Sequence, residues 1–214
     1  MHPPRHFALI PDGVRRWSVR HSVSLEIAYE AVVGALTQLS DTVFAHEIGT
    51  LSVYVLSKHN LLRTSDELAA TIRSHIRIFQ GVLPLLAKKW EATIYHIGDV
   101  NSLPGEYGLA LRNACEESHS PSSKRKIYIY AGYGAEWELD ARLRGDANGF
   151  HCSLPDDVDL LLRTGGELRL SGFLPIQLRY AELFFLEKLF PDTQSVDVER
   201  VIQAYGERER RFGR

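Results

Sequence analysis

The chain has 214 residues, 25 Lys and Arg against 27 Asp and Glu, a formal charge of −2 and a hydrophobic fraction of 44%. That length predicts a single domain over residues 1–214 with a substantial core, and the composition excludes a disordered or fibrous chain. No global positive field exists to recruit a polyanion, which argues against a nucleic-acid binder. Two cysteines, Cys115 and Cys152, supply neither a disulfide framework nor a zinc tetrad and fit a reducing cytoplasm.

The opening segment MHPPRHFALIPDG carries a short apolar run before Pro11 and Asp12. A secretory signal needs an apolar region of about 7–15 residues, so none is expected. The apolar stretch Val82–Ala87 falls far short of the roughly 20 residues that span a bilayer, so no integral membrane contact is expected.

In chain order, β-branched apolar runs predict strands at Phe7–Pro11, Thr50–Leu56, Thr93–Ile97, Lys126–Ala131, Val158–Leu162 and Leu183–Phe185. Helical periodicity predicts helices at Leu25–His46, Ser65–Lys89, Leu109–Ser118, Gly172–Ala181 and Val196–Arg211. Within Ser65–Lys89, the residues Leu68, Ile72, Ile76, Phe79, Leu83 and Leu86 form one apolar face. Continuous apolar strands alternating with helices imply an α/β fold with a mostly parallel six-stranded sheet flanked by helices. Ligands of such sheets sit beyond the carboxyl ends of the strands. The polar motifs fall there: Asp12-Gly13 after the first strand, Ser57–Asn60 after the second and Arg163–Gly166 after the fifth.

The segment Asp12–Ser18 combines a carboxylate, a glycine turn and the pair Arg15 and Arg16. Glycine permits close backbone approach, and the amides at the start of a helix favour an anion. The segment Asp159–Ser171 places Arg163, Thr164, Gly165, Gly166, Arg169 and Ser171 behind a buried strand. Arginine forks suit phosphate because they bind it bidentately. A third motif, Tyr180–Phe185, puts Glu182 at the head of an apolar strand. The sequence contains no HExxH and no Cys/His tetrad, which argues against zinc. Neither a GxxxxGK[ST] loop nor a GxSxG elbow occurs. Carboxylates with phosphate oxygens suit Mg²⁺. A site for diphosphate and magnesium remains.

Over nearly its whole length the chain resembles the cis-prenyltransferase family, of which undecaprenyl diphosphate synthase is the bacterial archetype. The matching motifs are Leu9–Trp17, Val53–Asn60 with Arg63 and Glu67, Asp159–Ser171, Tyr180–Phe185, Leu189–Asp192 and Arg208–Gly213. The resemblance implies a homodimer that binds isoprenyl diphosphates, with an apolar tunnel partly walled by the helix from Ser65. It implies that Asp12 works through Mg²⁺ on the allylic diphosphate, held by Gly13, Arg15 and Arg16 with Val14 and Trp17 at the same substrate site. Arg163, Arg169 and Ser171 match the site of the second diphosphate, and Glu182 matches the metal-associated glutamate. Ser57 and Asn60, expected to be catalytic, lie with the substrate-binding Arg63 and Glu67 on a flexible segment over the site. Arg211 and Gly213 resemble a C-terminal element that reaches the second diphosphate across the dimer.

The departures from the family pattern are specific. Val14 stands where the family has an Asn, Leu25 where it has an Arg, and Ala28-Tyr29 where it has a Gly-His pair. This pattern resembles the lavandulyl-type branch, including cyclolavandulyl and isosesquilavandulyl diphosphate synthases. It implies head-to-middle joining of dimethylallyl diphosphate to a short allylic diphosphate. A regular head-to-tail short-chain synthase using isopentenyl diphosphate and a non-catalytic partner subunit are the alternatives. Asp12→Ala is expected to abolish turnover with little loss of fold.

Overall fold

Strand β1 (His6–Ile10) is buried along its whole length, as its unbroken apolar run requires. It pairs in parallel with β2 (Thr50–Ser57) on one side and β5 (Leu160–Arg163) on the other. Beyond β2 lie β4 (Arg125–Tyr133) and β3 (Ala92–Ile97); beyond β5 lies β6 (Glu182–Phe185). The six strands run in the order β3-β4-β2-β1-β5-β6, with every pair parallel. The computed structural model describes residues 3–63, 65–144 and 157–208.

Successive side chains of each strand point to opposite faces, so the sheet has a core on each side. Phe7, Leu9, Leu51, Val53, Leu160 and Leu162 face one core. Helices α2 (Leu25–Ala45), α4 (Leu83–Trp90), α5 (Gly105–Ser118) and α7 (Ser195–Gly206) add Leu39, Leu83, Leu111 and Val201 to it. Ala8, Ile10 and Leu161 face the second core, built with Tyr130, Phe173 and Leu174. Ser24 starts α2 by accepting a hydrogen bond from the Ile27 amide at 3.3 Å, satisfying one unpaired donor of the first turn. Among the described residues no helix is long and apolar enough to cross a membrane.

Five elements differ from the sequence reading. The single helix expected over Ser65–Lys89 is interrupted: α3 (Ser65–Arg77) passes through a π-helical turn at Ile78–Val82 before α4. Pro84 lacks the amide that would bond the carbonyl four residues back, so the ladder slips at this point. The helix expected over Gly172–Ala181 does not form, and the segment is a run of turns. Pro175 disfavours the helical region for Leu174, which takes φ 46°, while Ser171 and Gly172 are also left-handed. Phe173 and Leu174, both fully buried, supplied the apolar period that mimicked a helix. Two short helices, α1 (Val14–His21) and α6 (Ala135–Leu143), arise where no helix range was predicted. The last helix ends at Gly206 rather than Arg211.

Candidate active site

The strands deliver their carboxyl ends to one edge of the sheet, and the cradle is built where β1 and β5 end side by side. Asp12 and Thr164 lock these ends together. The Asp12 amide donates to Thr164 Oγ1 at 3.0 Å, and that hydroxyl donates to the Asp12 carbonyl at 2.9 Å. Arg163, the last residue of β5, donates from Nη2 to Asp12 Oδ2 at 2.8 Å and from Nη1 to Ser171 Oγ at 2.9 Å. Its Nη1 also bonds the Arg169 carbonyl. Arg16 completes the cradle, its Nη2 3.2 Å from Asp12 Oδ1 and its Nη1 donating to the Gly165 carbonyl at 2.7 Å.

Two glycines make this proximity possible. Gly165 has φ +86°, and a Cβ there would lie 2.6 Å from Arg16 Nη2 and 3.2 Å from Asp12. Gly13, at φ +107°, precedes α1, and its absent Cβ would lie 2.7 Å from the Leu189 side chain.

Burial of Asp12 favours its protonated form, but the Arg163 hydrogen bond and the charges of Arg163 and Arg16 outweigh it. The carboxyl is held below its ordinary value and is ionised at neutral pH. The buried Arg163 Nε makes no hydrogen bond within the described residues. An uncompensated guanidinium donor at this position calls for an acceptor such as a phosphate oxygen.

The facing wall comes from the end of β2 and from α3. Ser57 and Asn60 bond reciprocally, the Ser57 amide donating to Asn60 Oδ1 at 3.2 Å and the Asn60 amide to Ser57 Oγ at 3.0 Å. Arg15 Nη1 reaches both Glu67 carboxylate oxygens at 3.3 Å, tying α1 to α3 across the mouth. Between the walls lies a cleft of about 430 Å³. Pro11, Val14, Tyr29 and Val55 line both this cleft and a narrower apolar tunnel of about 70 Å³, walled deeper by Leu36, Val53, Phe79 and Phe190. A polar cleft opening into an apolar tunnel suits a diphosphate head on a hydrocarbon tail.

Asp12, Gly13, Val14, Arg15, Arg16, Ser57, Asn60, Arg63, Glu67, Arg163, Arg169 and Ser171 all line the cleft. Trp17 does not. It lies on the far side of α1, donates from Nε1 to Asp192 at 2.6 Å and stacks on His21 at 4.0 Å, so it anchors the helix rather than the substrate. Glu182 does not line the cleft with Asp12 either. It pairs with Leu160 at the start of β6, three residues short of Arg163, or about 10 Å along the strand. Arg211 and Gly213 lie outside the described residues.

Sequence reasoning missed the positioning role of Thr164 and the cleft residue Tyr54. Tyr54 stacks on Phe173 at 4.6 Å, with its hydroxyl 3.4 Å from the Ser171 carbonyl. Burial raises its pKa to about 12, against opposing help from Ser57, so it stays a neutral donor. Tyr54 sits inside the apolar run of β2, and nothing in that run shows that the Ser171 turn, 117 residues further on, packs over it.

The family model described as putative undecaprenyl diphosphate synthase matches residues 10–213. The chain is 33% identical over 225 residues to a geranylgeranyl-diphosphate-specific tritrans,polycis-undecaprenyl-diphosphate synthase from Aeropyrum pernix, covering 100% of both chains. It is 31% identical to a short-chain Z-isoprenyl diphosphate synthase from Mycobacterium bovis, covering 99% of this chain and 88% of the relative. Its fold matches the crystal structure of lavandulyl diphosphate synthase from Lavandula x intermedia in complex with dimethylallyl diphosphate. That match has a TM-score of 0.87 and 24% identity over 99% of each chain. With a cradle for diphosphate, a tunnel for hydrocarbon and a family match spanning almost every residue, the chain belongs to the cis-prenyltransferase (undecaprenyl diphosphate synthase) family and is a prenyl diphosphate synthase.

Proposed function

We propose that this prenyltransferase condenses dimethylallyl diphosphate, as the nucleophile, with a short allylic diphosphate (dimethylallyl or geranyl) in a head-to-middle manner. The product is a branched lavandulyl-type diphosphate such as isosesquilavandulyl diphosphate. One observation carries the reading. Val14, Leu25 and Tyr29, three of the departures from the family pattern, line the cleft that contains Asp12. The wall beside the allylic head is therefore apolar and aromatic where a regular synthase has amide, guanidinium and imidazole groups. The fold shared with a lavandulyl diphosphate synthase supports the same reading.

In the proposed chemistry the C1–O bond of the allylic diphosphate breaks and its electron pair leaves with the diphosphate. The internal alkene carbon of dimethylallyl diphosphate attacks C1. The new tertiary cation then loses a proton from an adjacent carbon to form the product alkene. Gly13, Arg15 and Arg16 hold the departing group, and Arg163, Arg169 and Ser171 hold the second diphosphate. Preorganised donors of this kind stabilise charge as it develops, and the apolar tunnel keeps water from the cation. The ionised Asp12 carboxylate fits Mg²⁺, which takes one or two carboxylates together with phosphate oxygens and water. No group of three or more His, Cys, Asp and Glu able to hold a metal occurs among the described residues, so a bound diphosphate would complete the donor set. When bound, Mg²⁺ supplies charge neutralisation at the departing diphosphate.

The enzyme is further proposed to act as a cytoplasmic homodimer. Leu139 and Leu143 on α6, Ile176 and Tyr180 in the turns before β6, and Leu183 on that edge strand are all exposed apolar side chains. They suit a second copy better than water. Glu182, on the same edge strand, would meet a metal only in such an assembly.

A regular head-to-tail reading is favoured by the names of the relatives from Aeropyrum pernix and Mycobacterium bovis. Incubation of the purified chain with Mg²⁺ and each pair of diphosphates, with products identified by mass spectrometry and NMR, separates the two. A branched product from dimethylallyl diphosphate is expected. A linear product formed only with isopentenyl diphosphate would overturn the head-to-middle reading. Failure of the isolated chain to turn over any pair would return it to a partner subunit.

A further inference from the structure

Tyr54 and Ser57 are three residues apart on β2, a spacing that sends side chains to opposite faces of a regular strand. Both nevertheless line the cleft. The register of β2 against β4 shifts between Tyr54 and Leu56 and again between Leu56 and Ser57. Irregularities of this kind re-aim side chains at the end of a strand. Here they bring the Tyr54 phenol and the Ser57 side chain into hydrogen-bond contact. Ser57 is in turn bonded to Asn60, so Tyr54 touches the wall that the end of β2 supplies.

The other neighbours of Tyr54 belong to the Ser171 turn and to the end of β4. Its ring stacks on the fully buried Phe173 with the planes 7° apart. Its hydroxyl lies 3.4 Å from the Ser171 carbonyl and 3.3 Å from the Tyr133 carbonyl. A phenol has one proton to give, so these two carbonyls share it. The turn above the ring is strained: Ser171 has φ 53° and Leu174 φ 46°, with Gly172 at 76° between them. Left-handed residues that carry side chains persist only where their surroundings fix them. The position of that turn matters because Ser171 Oγ accepts from Arg163 Nη1 at 2.9 Å and the Arg169 carbonyl bonds the same nitrogen. Tyr54 therefore stands beneath the turn that holds the buried arginine fork.

We propose that Tyr54 is a positioning residue for the second diphosphate. Its ring and hydroxyl fix the strained Ser171 turn, and through Ser57 they tie that turn to the facing wall of the cleft. The proposal rests on the assignment of Arg163, Arg169 and Ser171 to the second diphosphate. Two variants divide the support: Tyr54→Phe keeps the stack and removes the hydroxyl, whereas Phe173→Leu keeps the hydroxyl and removes the stack. Steady-state kinetics use geranyl diphosphate as the allylic substrate. The nucleophile is whichever of dimethylallyl and isopentenyl diphosphate the wild type couples to it, so the readout is independent of regiochemistry. In Tyr54→Phe the KM for the nucleophile is expected to rise about fivefold, the size of one neutral hydrogen bond, with kcat and the geranyl KM within about twofold of the wild type. Phe173→Leu is expected to raise the same KM. An unchanged nucleophile KM in Tyr54→Phe, or an equal rise in both KM values, overturns the proposal. A rise confined to the geranyl KM keeps Tyr54 as the support of the turn and overturns the assignment of that turn to the second diphosphate. If Tyr54→Phe does not fold, the same outcomes are read from Phe173→Leu. If the wild type couples neither nucleophile, the assigned reaction fails and calorimetric affinity for inorganic pyrophosphate replaces KM. A weaker affinity in Tyr54→Phe is then expected, and an unchanged one overturns the proposal.

Discussion

Arg163, with only 4% of its side chain exposed, donates to the carboxylate of Asp12, which is 29% exposed, at 2.8 Å. The residue expected to act on magnesium is therefore also the anionic partner of a buried guanidinium. Removing one member of such a pair leaves the other charge unpaired in a poorly solvated place. This amends the expectation that Asp12→Ala costs activity alone. Asp12→Ala is expected to abolish turnover and also to destabilise the fold, by about 1–3 kcal/mol for a lost charge-assisted hydrogen bond. Urea denaturation beside a turnover assay checks both. Because the folded Asp12 pKa is depressed, its contribution to stability is present above the unfolded carboxylate value and lost as pH falls through the folded one.

Gly165→Ala should be damaging although it adds one methyl group. The new Cβ would lie 2.6 Å from Arg16 Nη2, at a φ of +86° that side chains rarely adopt. A loss of about 1–3 kcal/mol is expected from the backbone alone. Displacement of Arg16 should also raise KM for the allylic diphosphate. Steady-state kinetics that match the wild type would show the cradle to be looser than its geometry.

Trp17→Phe separates anchoring from binding. The variant keeps an aromatic ring against His21 but loses the hydrogen bond to Asp192. Stability should drop by about 1 kcal/mol, with KM for both diphosphates within about twofold of the wild type, a change below the tenfold that 1.4 kcal/mol of lost binding produces. A large KM change at unchanged stability would return Trp17 to the substrate site.

Arg169→Ala should weaken the second diphosphate alone. The side chain is 60% exposed and paired with Glu167, so solvent screening favours the low end of the range for charge-assisted bonds. A KM increase of about tenfold for the nucleophilic diphosphate is expected. An equal increase for the allylic substrate would contradict the division of the cleft into two anion sites.

Burial lowers the His75 pKa to about 3, from an ordinary value of 6.5. Between these values the unfolded chain binds a proton that the native state refuses, so stability falls as the solution is acidified. The slope from this one residue is about 1.4 kcal/mol per pH unit below 6.5. His75→Leu removes that term. Its stability relative to the wild type should therefore rise progressively from pH 7 to pH 4.5 in urea titrations, and a constant difference would show the imidazole to be solvated.

The two anion-binding segments could be read directly because each is local. Asp12–Arg16 and Arg163–Ser171 put their charges, hydroxyls and glycines within a few residues of a strand end, and a parallel sheet delivers strand ends to one edge. The six strands were equally legible, since a run buried on both faces tolerates little but apolar side chains. Whether two distant segments meet is a question of register and of backbone turns that hydrophobic period does not encode. Phe173 and Leu174 carried a helical period through a left-handed turn around Pro175. Trp17 kept company with cleft residues in sequence and was rotated away from them by one helical step. Glu182, expected beside Asp12, starts β6 opposite Leu160 and does not line the cleft. The tertiary structure alone decided that Leu25 and Tyr29 share the cleft with Asp12 and that His75 lies against Tyr107. These contacts join residues far apart in the chain, and only the packing of helices onto the finished sheet brings them together.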